Sequence, residues 1–180
     1  MLFRSAARST NARFGFIQSI IHKNYFISLA LIYQNYCSSP YRTYSYLDTR
    51  TDKTYVSLSF WTTINPIFTT LYHQFYIDKI KIVPKDLSLL TPLAFAHWVM
   101  QDGSLGTSKG LYLCTDAFTS ADVQRLASYL ADTYQIHVTT PKAPGKKKAL
   151  RIYVLVRSMP SICTLLVPHM HSSMLYKLGI

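Results

Sequence analysis

Leu90-Thr-Pro-Leu-Ala-Phe-Ala-His-Trp-Val-Met-Gln-Asp-Gly103 reads as a helix with both of its ends specified. The Thr91 hydroxyl can accept from an unpaired N–H of the first turn, and Pro92 at the first helical position gives up an N–H that no helix bond uses. Gly103 can take the left-handed conformation that closes many helices. Between these ends the residues are apolar nearly all round, which predicts a helix buried between layers, and the small Ala94 and Ala96 admit close packing of another backbone. Asp102 is the odd residue. A carboxylate at the helix C-terminus faces the negative pole of the macrodipole, at a cost of roughly 0.3–1 kcal/mol. An ordinary Asp-Gly turn is one reading of it. A bound divalent cation is the other, because the carboxylate and the last helix carbonyls would then face positive charge.

Outward from this helix the chain echoes itself. Arg13-Phe-Gly-Phe-Ile-Gln-Ser19 and Gly110-Leu-Tyr-Leu-Cys-Thr-Asp116 are alternating strands that each lead to a helix, His22–Tyr36 and Ser120–Tyr134. The second helix opens with capping residues and spaces Val123, Leu126, Ala127 and Leu130 along one face. A hairpin follows in each half, from 41–46 and 55–60, then from 136–140 and 151–156, with polar turns between. A proline then starts another helix, at Pro66 and at Pro160. Each half closes on a lysine in apolar surroundings, Lys81 and Lys177. Phe14 to Leu111 is 97 positions, Pro66 to Pro160 is 94 and Lys81 to Lys177 is 96. The order and spacing predict an α+β protein of two similar lobes, 1–84 and 91–180, joined by a linker at 85–90.

Charge narrows the partner. Nineteen Lys and Arg face eight acids, all of them Asp, for a net charge of +11 and a pI near 9.6. Such a surface suits a polyanion, either nucleic acid or an anionic membrane surface. With 49% hydrophobic residues, 180 positions suffice for one domain or two small lobes. Cys37, Cys114 and Cys163 are odd in number and widely spaced, which argues against a disulfide framework or structural zinc. His169 and His171 would face the same side of a strand, yet no third ligand stands beside them. The longest apolar stretch, Tyr25 to Tyr33, is too short to span a bilayer, and a generic membrane-surface protein would not explain the 90–103 helix or the spaced lysines, so no membrane partner is expected. The N-terminal stretch, rich in Arg, Ser and Ala, imitates a mitochondrial transit peptide, but reads better as a loop entering a first nucleic-acid-facing strand.

The segment Leu90–Gly103 resembles the second signature motif of the LAGLIDADG homing endonucleases of organellar introns. Gly110–Thr119 and Leu150–Val154 resemble the strands that follow it, and His171–Leu178 resembles the family's C-terminal signature. Upstream, 11–19 and 55–84 are similar to the first lobe, so the likeness covers about residues 10 to 180. It implies a pseudo-two-fold αββαββα saddle in which two motif helices meet and two antiparallel sheets enter successive major grooves. It also implies Mg²⁺ held at the scissile phosphates by an acid at the end of each motif helix. Asp102 matches that metal ligand. Lys177 and Lys81 match basic residues that organise water and stabilise phosphate charge, and Gln18 and Thr115 match polar strand positions that could hold solvent. Arg42, Arg50, Lys53, Lys109, Lys142, Lys146, Lys147, Lys148 and Arg151 would flank the DNA-facing sheets. Tyr44, Tyr46, Tyr112 and Tyr153 could reach bases or simply stabilise strands.

One acid is missing. Stepping back from Asp102 by the repeat offset lands near Ala6, and residues 1–47 contain no acid at all. Nor does an apolar helix precede Phe14. The expectation is a chain lacking its first motif, with cleavage impaired or absent. The resemblance implies a monomer acting on double-stranded DNA in the mitochondrion, with the chloroplast as alternative. Two other readings stay open: a maturase that assists splicing of group I intron RNA on the same fold, or a degenerate, inactive DNA-binding remnant.

Overall fold

Alternation of apolar and polar residues over 12–19 and 53–61 builds strands with one oily face, and that face sets the first core. The computed structural model describes residues 2–5, 11–145 and 149–180, with side chains from residue 11 onward. The chain divides into two compact units, Met1–Gln74 and Phe75–Ile180.

The first unit runs β1 (Leu2–Ser5), β2 (Ala12–Ser19), α1 (Lys23–Tyr33), β3 (Arg42–Asp48), β4 (Lys53–Trp61) and α2 (Pro66–Phe75). Its strands form an antiparallel sheet in the order β1-β2-β4-β3. Phe14, Phe16, Leu58 and Phe60 are buried on one side of this sheet, as are Tyr25, Phe26 and Leu29 of α1. The core is aromatic: Phe16 stacks on Phe26 at 5.8 Å between ring centroids, and Phe14 lies 4.8 Å from Tyr33. The helix expected over 22–36 is regular only from 23 to 33, with 3₁₀ turns at Ile20–His22 and Gln34–Tyr36. Tight turns of this kind are common at helix ends, and the N-cap residue of α1, His22, makes no side-chain capping bond.

The second unit opens on a two-stranded ribbon, β5 (Tyr76–Ile77) and β6 (Ile80–Lys81), turned at Asp78 and Lys79 in the left-handed region. Residues 75–90 go with this unit. Val83 is buried in its core, and the Arg125 guanidinium donates to the carbonyls of Val83 at 2.9 Å and Pro84 at 2.8 Å. The division therefore falls after Gln74, ahead of the 85–90 segment read as a linker. Next come α3 (Pro92–Asp102), β7 (Gly103–Leu105), β8 (Leu111–Leu113), α4 (Ser120–Tyr134), β9 (Val138–Thr139), β10 (Ile152–Val154) and α5 (Met159–Leu166). The sheet order β7-β8-β10-β9 repeats that of the first unit. Here the core is mainly aliphatic, built from Leu111, Leu113, Val123, Leu130, Ile152, Val154 and Ile162 around Phe95, Ala96 and Val99 of α3.

Helix α3 begins as its sequence predicts, the Thr91 hydroxyl accepting from the Ala94 N–H at 3.3 Å. Its burial is one-sided, since Leu93 stays 51% exposed. Its end departs from expectation. Gly103 sits at φ −78°, ψ 151°, so it is extended and starts β7 directly instead of closing the helix in the left-handed region. Glycine is needed for another reason: a Cβ there would lie 2.6 Å from the Val99 carbonyl oxygen. Strands expected over 136–140 and 151–156 shorten to Val138–Thr139 and Ile152–Val154. Among the described residues no helix is long and apolar enough to cross a membrane.

Candidate active site and nucleic-acid interface

The turn from α3 into β7 carries Asp102 out of the core. Its side chain belongs to an exposed residue, while Met100 and Gly103 on either side are buried. Its backbone oxygen accepts from Cys114 N on the neighbouring strand at 3.3 Å. That bond fixes the carboxylate at the edge of the sheet. The C-terminal 3₁₀ segment, Ser172–Leu178, is held to the same place: the His171 N–H donates to the Met100 sulfur at 3.3 Å, and His171 Nδ1 caps the segment by accepting from Ser173 N. From it Lys177 reaches back and donates from Nζ to the Gly103 carbonyl at 2.7 Å. Burial pushes the Lys177 ammonium below its ordinary pKa of 10.5, and the nearby Asp102 charge pulls it partly back. Asp102 and Lys177, 75 positions apart, thus share one corner.

The solvent face of β8 and β10 leads away from this corner. Leu111, Leu113, Ile152 and Val154 point into the core, which leaves Tyr112, Cys114, Asp116, Arg151 and Tyr153 on the other side. The Arg151 guanidinium grips Asp116 through Nε at 2.8 Å and Nη2 at 2.9 Å. Its fork is therefore engaged within the fold. Arg151, Asp116, Asp102 and Lys177 all lie close enough to act on the Cys114 thiol, whose pKa partial burial raises above its usual value. Tyr112 and Tyr153 pack in a tilted pair with centroids 4.5 Å apart, and Gly110 makes the room: a Cβ there would meet the Tyr153 hydroxyl at 2.2 Å. Thr115 faces inward, 1% exposed, its hydroxyl donating to the Leu150 carbonyl at 2.7 Å. Lys109, in the left-handed region at the β7–β8 turn, and Lys142, bridged to Leu150, are exposed. Lys146, Lys147 and Lys148 lie outside the described residues.

In the first unit the register places Arg42, Tyr44 and Tyr46 of β3 beside Ser59, Ser57 and Tyr55 of β4, and these beside Ile17 and Ser19 of β2. This is the face opposite the aromatic core. Arg42 is exposed; Arg50 pairs with Asp48 at 3.6 Å; and exposed Lys53 stands opposite Asp48 in the register. Trp61 lies across Gly15, where a Cβ would come within 2.4 Å of its ring, and Arg13 stacks on the same indole at 4.6 Å. Ser59 is 1% exposed, and its hydroxyl has no hydrogen-bond partner among the described residues. Gln18 is turned onto its own neighbour, its Oε1 accepting from Ser19 N at 3.0 Å. Lys81 is exposed on the β5–β6 ribbon of the second unit, with its Nζ 5.7 Å from the Phe118 ring. It is not among the charges acting on Lys177 or Cys114.

The structure thus brings Asp102 and Lys177 together. It seats Gln18 and Lys81 on other elements and ties Arg151 to Asp116. Sequence reasoning passed over Asp116, Arg13 and Trp61. An Asp and an Arg 35 positions apart carry no local signal of pairing, and a Gly on a strand opposite a Trp is informative only once the register is known.

The chain can be compared with known proteins on this geometry. The model of the LAGLIDADG DNA endonuclease family matches residues 2–162. The chain is 38% identical over 133 residues to the cytochrome b mRNA maturase bI2 of Saccharomyces cerevisiae, covering 69% of this chain and 30% of that protein. It is 36% identical over 115 residues to the intron-encoded endonuclease ai4 of Dictyostelium discoideum, covering 63% of this chain and 71% of the relative. The chain spans well under half the length of the maturases it matches. Its fold is that of the homing endonuclease I-WcaI bound to its DNA recognition sequence, with a TM-score of 0.88 at 22% identity over 98% of this chain and 79% of that one. A family model that matches most of the chain's length, on a fold with two sheets of one strand order, settles membership: the chain belongs to the LAGLIDADG DNA endonuclease family.

Proposed function

We propose that the chain binds duplex DNA along its two sheets and hydrolyses a phosphodiester at the Asp102–Lys177 corner. The observation that carries this is the exposed Asp102 carboxylate at the end of a helix whose other face is buried, beside a half-buried lysine. Nothing in packing calls for an acid there, and the helix dipole disfavours it. The donor set suits Mg²⁺, which keeps most of its waters and takes one or two carboxylates together with phosphate oxygens. Bound there, the ion would supply Lewis-acid polarisation of the phosphate and a more acidic water. Asp102 would hold it. Lys177, fixed by the Gly103 carbonyl, would place positive charge where charge grows on the phosphate. Arg42, Lys53, Lys109 and Lys142 would neutralise backbone phosphates and make binding salt-dependent. Arg151 would act through Asp116, keeping the strand beside Asp102 in place. Gln18 and Lys81 remain candidates for ordering solvent or phosphate from their own elements.

Within residues 1–180 no acid precedes Asp48, so no counterpart of Asp102 stands ahead of β2. A polypeptide of these residues alone, acting as a monomer, would cut one strand or none. Incubating it with Mg²⁺ and a supercoiled plasmid library distinguishes the outcomes. Nicked circles that disappear in Asp102→Asn support the proposal; efficient linearisation by the monomer counts against the single-site reading, and intact DNA under all conditions against hydrolysis.

The 38% identity to a maturase favours one second reading: binding of group I intron RNA to assist splicing. That role needs basic sheets and not two acids. Competition between duplex target and folded intron RNA at equal salt separates the two. Sequence-independent binding to both would instead mark a degenerate remnant. The intron-encoded relatives support a mitochondrial setting, with the chloroplast as alternative.

A further inference from the structure

Arg13, Trp61 and Gly15 form a device that the phosphate-binding reading does not use. Gly15 on β2 lies opposite Trp61 on β4, and the indole fills the space a side chain on residue 15 would take. Arg13, one step along the same face, lays its guanidinium over that indole at 4.6 Å. Among the described residues its Nε, shielded from solvent, has no hydrogen-bond partner, and its fork makes no ion pair. Arg50 and Arg151, by contrast, each have a carboxylate. Along this face the register puts Arg4 of β1 opposite Arg13 and Arg42 of β3 opposite Ser59, with the neutral Ile17, Ser57 and Tyr44 further on.

Packing against an indole limits where a guanidinium can turn. A phosphate gains little from that limit, since it is met from many directions by arginine forks and flexible lysines alike. A base edge gains more: guanine offers O6 and N7 as a coplanar pair of acceptors that a pre-positioned fork can meet with two hydrogen bonds. We infer that Arg13, seated over the Trp61 indole for which Gly15 makes room, is a specificity-determining residue that reads one guanine in the major groove of the DNA half-site lying on the first sheet. This rests on the duplex-DNA reading above. Trp61 and Gly15 act through Arg13 as positioning residues.

The test is selection from a randomised duplex pool with the full chain and with Arg13→Ala, Arg13→Lys and Gly15→Ala, followed by affinities for the selected site and its single-base changes. The wild type should select a site with one G·C pair whose replacement weakens binding roughly 5- to 150-fold, as for loss of a bidentate base contact. Both Arg13 variants should lose the preference at that pair alone. Gly15→Ala should lose it as well with its charge intact, because a methyl displaces the indole; Trp61→Leu serves if circular dichroism shows Gly15→Ala unfolded. Uniform weakening by Arg13→Ala at every position, with the salt slope reduced by about one, would mark a phosphate anchor and overturn the inference. So would an unchanged preference. A wild type that selects no duplex sequence, or selects only RNA, sinks the duplex-DNA reading itself, an outcome distinct from either.

Discussion

Lys177 donates its Nζ proton to the backbone oxygen of Gly103, the residue immediately after Asp102. The bond holds a charged ammonium in partly desolvated surroundings, which lower its pKa from 10.5. In the pH window between the lowered folded value and 10.5 the unfolded chain binds more protons, so this group's contribution to stability rises with pH and is lost as pH falls through the folded value. Lys177→Met should flatten that slope, and any strand cleavage should fall by at least about tenfold, as for loss of a group that stabilises developing charge. Urea unfolding from neutral pH to 10.5 checks the first, and nicking rates check the second. A mutant that nicks normally removes Lys177 from the mechanism.

Asp102→Asn separates stability from function. The acid lies against the negative end of α3 but also attracts the Lys177 ammonium, so neutralising it should leave stability within about 1 kcal/mol of the wild type. Cleavage should disappear while DNA binding without metal persists. A larger drop in stability would mean that the carboxylate is a structural residue, and thermal unfolding beside a gel-shift titration would show it.

Arg151 and Asp116 form a two-pronged, largely shielded pair. Removing either partner should cost about 1.5–3 kcal/mol, and a double-mutant cycle with alanine should return a coupling well above about 0.5 kcal/mol. DNA affinity should change little in Arg151→Ala once stability is matched. A reduced salt slope would instead place Arg151 on a phosphate.

His97, on α3, is held below its ordinary pKa of 6.5 by burial. Its neutral form belongs to the fold, so stability is complete above 6.5 and declines as pH falls through the folded value. His97→Gln should remove that part of the acid sensitivity. Thermal midpoints of both proteins at neutral pH and at about pH 5 give the comparison, and parallel curves would rule out His97 as the source.

Gly103→Ala should destabilise the chain by about 1–3 kcal/mol, since its methyl meets the Val99 carbonyl oxygen and not a flexible side chain. It should also impair cleavage more than Gly145→Ala, where nothing lies within 4 Å.

Capping and periodicity are local, and they made α3, α4 and the hairpins readable before any coordinates. Thr91 with Pro92 marks one helix start, and Thr119 accepting from Asp122 N at 3.1 Å marks another. The nearly equal offsets between halves reappear as equal strand orders. What sequence withheld was long-range. Gly103 looked like a helix-closing glycine because Gly after a polar helix end usually is one; only the approach of Val99 shows why it is extended. Leu2–Ser5 pairs with β2 through backbone bonds, which composition does not encode. For the site, Asp102 and Lys177 were legible through motif resemblance. Asp116 and the Arg13 stack were not, because each depends on which strands become neighbours.

The two sheets share a strand order yet rest on chemically unlike cores, rings of Phe and Tyr under one and branched aliphatics under the other. A branched aliphatic placed among the rings, or a ring among the aliphatics, would meet neighbours of the wrong shape. One strand plan is thus filled in two ways that cannot be interchanged residue for residue.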